Sequence, residues 1–315
     1  MKQRLITGFF FVLGIILLIV SRFLTPFIFD LGIGAFAVLG AVEVARVFER
    51  SKRHLNIVMS SIYPAIIYLG VSIAISKDWN WLGYLGWYVG SLVVYFLLVF
   101  AVNYIFINKT REEMKNNKIE SNIHIYSLTK AINTIAVCIY PTMLFSAFFM
   151  LNHMEAFEIV SSNSLLLESG IDFMLIISVF AVQILTDSLA MVVGSTFKGP
   201  KLCPIVSPKK TISGAIGGVC GGVIGAMIVF ALFFIGGPFK AMYVGLNLNI
   251  WYFMFFGFVG AVLCQCGDIL ASYLKRKARV KDYGTFFPGH GGVMDRVDGL
   301  IFVATFALIF LFILA

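Results

Sequence analysis

Apolar runs recur from one end of the chain to the other, separated by short polar breaks, and most are long enough to cross a membrane. A helix needs about 20 such residues to span the hydrocarbon core. On that rule nine spans are predicted, at 5–21, 26–46, 56–76, 82–107, 131–151, 171–193, 214–236, 249–270 and 299–315. The second contains Glu43 and the sixth Asp187, so those two helices are expected to reach into the interface. The first run follows Lys2 and Arg4, lacks a small-residue cleavage site and leads directly into Arg22 and a second run, so it reads as a retained span. The expected fold class is an all-α, polytopic integral membrane protein with about nine transmembrane helices. Two regions are expected, 1–170 and 171–315, the second carrying polar loops at 194–213 and 271–298.

Composition agrees with this pattern. Of the 315 residues 60% are hydrophobic and 13% charged, against about 25% charged in a soluble domain. The net charge of +8 could suggest nucleic acid, but the basic residues sit in short loops between spans, as the positive-inside rule requires. No nucleic-acid partner is expected. Threading the spans from an inside N-terminus places 21 of the 24 Lys and Arg inside, leaving only Arg22, Lys77 and Lys240 outside. The N-terminus is therefore expected to be cytoplasmic. The insert 108–130 has mixed charge and reads as a solvated loop, and the five cysteines show no metal-ligand spacing.

Carboxylates at membrane-span ends are costly and are functional candidates. Five of the eight Asp (Asp187, Asp268, Asp282, Asp295 and Asp298) fall at expected inner ends of spans or in the two inner loops after residue 186. The first of these loops runs Asp187-Ser188-Leu189-Ala190, Gly194-Ser195-Thr196-Phe197-Lys198-Gly199-Pro200-Lys201 and Ser207-Pro208-Lys209-Lys210-Thr211. Backbone N–H groups and lysines in such a loop can hold phosphates, although a merely positive inner loop would look similar. It is no P-loop: Lys201 stands one position late, with neither Ser nor Thr after it. The next span carries the glycine ladders 214–218–222 and 217–221–225, expected to serve close helix packing.

The second constellation is sharper. Asp268, Ser272 and Lys275 fall at i, i+4 and i+7, on one face of a helix leaving the membrane. Arg276, Lys281 and Asp282 follow, then Pro288-Gly289-His290-Gly291-Gly292-Val293-Met294-Asp295-Arg296-Val297-Asp298. Pro288 and three glycines favour an irregular turn that brings backbone close to a ligand. Carboxylates interleaved with strong bases suit metal-bound phosphates, Asp for the metal and Lys or Arg for phosphate oxygens.

This run resembles the signature of the phosphatidate cytidylyltransferase family, the CDP-diacylglycerol synthases. The match is carried by Ser272, Leu274, Lys275, Arg276, Lys281, Asp282, His290, Gly291, Gly292, Val293, Asp295, Arg296, Val297 and Asp298. The earlier loop resembles the family through Asp187, Ala190, Gly194, Lys201, Pro204 and Ser207 to Thr211, and departs from it at Met191, Ser195 and Ser213. The resemblance covers roughly residues 180–315. It implies attack of phosphatidate on the α-phosphorus of CTP, giving CDP-diacylglycerol and pyrophosphate. It further implies Mg²⁺ on Asp268 and Asp295, with a second cation left open and Asp187, Asp282 and Asp298 as secondary candidates. Lys275, Arg276, Lys281 and Arg296 would face phosphates, with His290 a catalytic candidate that could equally be structural. Ser207, Lys209, Lys210, Thr211, Ser272, Gly291 and Gly292 would bind substrate.

The expected partners are CTP, phosphatidate and membrane lipid, with a homodimer left open. The expected location is the inner membrane of the cell, with the site cytoplasmic. An ion-coupled transporter or a catalytically inactive homologue are the competing readings. A transporter calls for charges near mid-span and broken helices, whereas these carboxylates gather on one side.

Overall fold

The computed structural model describes residues 2–51, 53–77, 81–117, 119, 122–154, 170–235, 249–289 and 291–314. Each apolar run folds as helix. The order is α1 (Lys2–Ser21), α2 (Pro26–Arg50), α3 (Ile57–Ser76), α4 (Trp81–Ile105), α5 (Ile107–Asn116), α6 (Ile123–Val137) and α7 (Leu144–Asn152). Then come α8 (Ile171–Phe197), strands β1 (Lys201–Cys203) and β2 (Ser207–Thr211), α9 (Ile212–Phe230), α10 (Ile250–Lys277), α11 (Met294–Val297) and α12 (Leu300–Leu314). Large apolar side chains such as Phe10, Leu24, Val94 and Phe258 remain uncovered on the outside of the bundle, where lipid rather than water suits them. The protein is an all-α integral membrane protein.

Local chemistry sets the ends of these helices. Thr25 caps α2 by accepting from Phe27 N, and Pro26 occupies a first-turn position where its missing N–H costs nothing. Asn249 caps α10 in the same way. Among the described residues six helices are long and apolar enough to span: Pro26–Arg50, Gly83–Ile105, Ile123–Asn152, Ile171–Phe197, Ile212–Ile235 and Ile250–Lys277. Three shorter apolar helices, Val12–Ser21, Ile57–Ile73 and Leu300–Leu311, fall on the other three expected spans.

Three expectations change. The span placed at 131–151 starts earlier, at Ile123, and is broken by a kink within Cys138–Met143, where Tyr140 takes extended backbone at φ −120° and ψ 114°. There Pro141 cannot donate to the helix ladder. The insert at 108–130 is largely helical: α5 packs on α6, and Lys130 Nζ meets Glu113 Oε2 at 2.6 Å. The 194–213 loop holds the antiparallel hairpin β1–β2, with Lys201 opposite Thr211.

The glycine ladders pack helices, as expected, but they address two different neighbours. A Cβ on Gly221 would lie 2.2 Å from Leu185 O, and one on Gly225 2.7 Å from Ala181 O, so this face of α9 rests on the α8 backbone. Gly222 sits between both neighbours, where a Cβ would stand 2.8 Å from Gly257 O of α10 and 2.9 Å from Thr186 Oγ1 of α8. Gly214 turns to α8 at Ala190 O. The α8–α9–α10 unit is thus held by near-backbone contact, and it carries both polar constellations. Gly221→Val should lower the thermal unfolding midpoint in detergent, at a cost of about 1–3 kcal/mol for an overpacked contact. Gly90→Ala, where a Cβ meets nothing within 4 Å, should leave it unchanged or raise it. Equal midpoints for the two variants would remove the close-packing account.

At one end of the bundle Asp30 joins His153 at 2.7 Å and Asn152 at 2.8 Å, while Arg22 pairs with Asp172. The site lies toward the other end. Asp30 and Glu43 on α2 are separated by about 20 Å at the helical rise of about 1.5 Å per residue.

Candidate active site

Three segments converge at that end: the last turns of α10, the β1–β2 hairpin, and the irregular chain from residue 278 to 293. Lys210 on β2 places its ammonium 2.6 Å from Asp268 Oδ2 on α10. It is an ion pair in contact, though not aligned as a hydrogen bond. Ser272, one turn on from Asp268, donates to its Oδ1 at 3.4 Å. One contact set therefore links the two polar stretches recognised in the sequence. Asp187 on α8 and Asp298 beyond α11 lie within electrostatic reach of Asp268, and Arg296 of Asp187. Burial, reinforced by the charge of Asp268, pushes the Asp298 carboxyl well above the usual carboxylate range. Its Oδ1 accepts from Gly299 N at 2.9 Å. Gln183 donates to Asp187 at 2.9 Å and Cys264 to Gln183 at 3.3 Å, tying α8 to α10 just below the site.

Asp295 organises the irregular segment. Its Oδ1 lies 2.7 Å from Lys275 Nζ, and its Oδ2 accepts from Tyr283 N at 2.7 Å and Gly292 N at 2.9 Å. Both members of the ion pair are buried, with side-chain exposures of 11% for Lys275 and 5% for Asp295. The Tyr283 ring lies 5.2 Å from the same ammonium, and the hydroxyl donates to Ala271 O at 3.1 Å. Burial pushes the Tyr283 phenol up, so it stays a neutral donor. Gly291 adopts φ 88° and its carbonyl accepts from Phe287 N at 2.8 Å. A Cβ there would fall 2.7 Å from Asp295 Oδ2. The position requires glycine both for its backbone and for the carboxylate beside it.

Several expected site residues lie apart from this cluster. Arg276 turns to the carbonyls of Val206 and Val280, at 3.2 and 3.4 Å, bracing the hairpin turn against the loop. Thr211 spends its hydroxyl as the N-cap of α9, accepting from Gly214 N at 3.1 Å. Lys209, Lys281 and Asp282 are exposed and form no ion pair with any described residue. Ser207 is half-buried at the start of β2. His290 lies outside the described residues.

Glu43 is the residue that reading by motif missed. Its Oε1 accepts from Val293 N at 3.0 Å and its Oε2 from Met294 N at 2.9 Å. The two glycines facing it leave no room for a side chain, since a Cβ on Gly284 or Gly292 would approach it to 2.4 Å. A carboxylate inside an apolar run was the available signal, because such a group stays buried only where donors await it.

Among the described residues no three His, Cys, Asp or Glu side chains are grouped as a metal cage. Asp268 still fits a Mg²⁺ that draws most of its ligands from phosphates and water, the usual habit of that ion. Its Oδ1 meets only the Ser272 hydroxyl, and its charge bears on two further carboxylates. Asp295 fits less readily, because a metal there would compete with three protein donors.

Comparison with known proteins converges on one family. The model described as the cytidylyltransferase family matches residues 2–314. A phosphatidate cytidylyltransferase of Rickettsia felis is 41% identical over 130 residues, 41% of this chain and 55% of the relative. One of Brucella abortus is 40% identical over 156 residues, covering 50% and 53%. One of Staphylococcus haemolyticus is 37% identical over 128 residues, covering 41% and 45%. The chain thus spans about half the length of the curated relatives it matches. With a family match along nearly its whole length, and with its two polar stretches meeting at Lys210 and Asp268, this chain belongs to the cytidylyltransferase family.

Proposed function

We propose that the protein is a phosphatidate cytidylyltransferase, joining CTP and phosphatidate to give CDP-diacylglycerol and pyrophosphate. The observation that carries this reading is the Lys210–Asp268 contact, which brings the basic hairpin onto the carboxylate helix. The names of the relatives support the same activity. A phosphatidate oxygen attacks the α-phosphorus of CTP, a new P–O bond forms, and the bond to the β-phosphate breaks with its electron pair leaving on pyrophosphate. Two polyanions must meet, so the protein's task is positioning and charge neutralisation. Lys210 and Lys275 are already set beside carboxylates and would face phosphate oxygens. Arg296, Lys209 and Lys281 would add positive charge, while Ser207, Ser272 and the Gly291–Gly292 backbone would orient phosphates.

A divalent cation, Mg²⁺ in our reading, would be held by Asp268 with Asp187 and Asp298 nearby, and would offset charge on the attacking and leaving oxygens. The side chains of 171–315 form most of this site, and Glu43 adds the contribution of the first region. The charge asymmetry of the loops favours a cytoplasmic site in the inner membrane, open to CTP from water and to phosphatidate from the bilayer.

Purified protein in detergent, given labelled CTP, phosphatidate and Mg²⁺, should form CDP-diacylglycerol and an equal amount of pyrophosphate. Absence of product across a range of lipids and divalent metals would overturn the reading.

A further inference from the structure

A cavity of about 560 Å³ opens at the same end of the bundle and shares no residue with the carboxylate cluster. It lies between the last turn of α2, the first turns of α3, the end of α4, and α5 with Lys130 of α6. Its walls differ in kind. One is apolar, with Val58, Ile62 and Phe106, which are 66%, 45% and 59% exposed on the outer surface of the bundle. The other carries Glu49, Lys109, Glu113 and Lys130. Lys130 and Glu113 neutralise each other at 2.6 Å. Glu49 and Lys109 remain as lining charges of opposite sign, neither in an ion pair with a described residue, though Arg46, His54 and Lys130 lie within electrostatic reach of Glu49. Asn103 also lines the cavity. It is 3% exposed, and its amide Nδ2 has no hydrogen-bond partner among the described residues. A buried donor left unsatisfied costs free energy that a ligand acceptor would return.

These features specify an occupant. An apolar wall continuous with the lipid-facing surface suits an acyl chain. The opposite wall offers one anion, one cation and one unsatisfied donor, so the matching headgroup is itself zwitterionic. The volume falls within the usual range for small-molecule sites, about 300–1,000 Å³, and would take a headgroup and glycerol while the tails run out along the open wall. An anionic headgroup would bring like charge to Glu49. A quaternary ammonium could not donate a hydrogen bond to it.

We propose that this cavity binds the headgroup of an aminophospholipid of the ethanolamine type, with its ammonium on Glu49 and its phosphate on Lys109 and the Asn103 amide. The site is separate from the catalytic reading above and can be tested without CTP.

The full chain in detergent would be titrated by native mass spectrometry with phosphatidylethanolamine, phosphatidylcholine and phosphatidylglycerol of identical acyl chains, and with water-soluble phosphoethanolamine. The ethanolamine lipid should bind at least about tenfold tighter than the glycerol lipid, the worth of one charge-assisted hydrogen bond. Asn103→Leu should weaken it by a similar factor, and Glu49→Gln should remove the preference for ethanolamine over choline. If Asn103→Leu lowers the unfolding midpoint sharply, the surface changes Glu49→Gln and Lys109→Gln decide the matter, since both side chains are exposed. Equal retention of all three lipids, meaning annular lipid only, would overturn the proposal. So would tighter binding of the anionic lipid, saturation by phosphoethanolamine alone, or indifference to the substitutions at Glu49 and Lys109.

Discussion

Asp295→Asn should lower kcat/KM for CTP by at least about a hundredfold, because it releases Lys275 and the Gly292 backbone, the donors that would face phosphate oxygens, and losing one such preorganised donor costs about that much. Asparagine keeps the shape of the side chain but not its charge. Lys275 would lose the partner 2.7 Å away while remaining buried. The second oxygen, which gathers Tyr283 N and Gly292 N, would become half of an amide whose orientation must choose between acceptor and donor. Removing one member of a buried ion pair costs about 3–5 kcal/mol, because the other charge stays uncompensated. A lower unfolding midpoint should therefore accompany the loss of activity. The double variant Lys275→Met/Asp295→Asn separates the two effects. It should recover much of the midpoint, since neither member of the pair is left as an uncompensated charge, and none of the turnover. Recovery of turnover along with stability would mean that the pair only holds the fold together.

The second large effect is expected at Glu43, far from the signature in sequence. Its two oxygens take the N–H groups of Val293 and Met294. Glutamine offers one acceptor and sets an NH₂ against the other N–H. Leaving one backbone donor unsatisfied in a buried setting costs about 1–3 kcal/mol. Because the displaced peptide lies beside Asp295, Glu43→Gln should reduce kcat by about tenfold or more, the equivalent of about 1.4 kcal/mol. As a positioning residue, Glu43 should affect kcat more than KM for either substrate. Glu43→Ala, which opens a cavity and frees both N–H groups, should be worse than glutamine. Steady-state kinetics on the three proteins, read with their unfolding midpoints, would check the order. A Glu43→Gln enzyme with the parental kcat would show that the turn holds itself.

Much of the fold could be read from the sequence because the bilayer imposes a single dominant rule. Each apolar run is helical over most of its length, broken at Tyr140 in the run at 131–151, and the i, i+4, i+7 face of Asp268, Ser272 and Lys275 followed from helix geometry alone. The glycine ladders were read correctly as packing, but not their division between α8 and α10, which depends on where the neighbouring helices lie. The hairpin was hidden because Ser207-Pro208-Lys209-Lys210-Thr211 has neither apolar alternation nor a β-branched run. Its pairing comes from the turn at 204–206 and from the anchorage of Thr211 as the α9 cap. The site was legible as two separate stretches, while their meeting at Lys210 and Asp268 was not, because spacing along a chain carries no record of which loops share an end of the bundle. Arg276 and Thr211 show a related limit: motif membership did not distinguish a side chain open to a ligand from one already engaged in bracing the backbone.

The Glu43 clamp also bears on how the protein is made. The hydrogen bonds to Val293 and Met294 join residues 250 and 251 positions apart, among the longest-range contacts this chain can form. Such contacts are the last to be gained, because the loop between them must be closed first. During synthesis α2 is in place long before the turn at 293 leaves the ribosome, and its carboxylate waits in the membrane without its donors. Assembly of the turn is thereby deferred until residues 293 and 294 have been delivered, so a chain that stops short of them can be inserted and helical yet still lack the clasp that shapes its reactive loop.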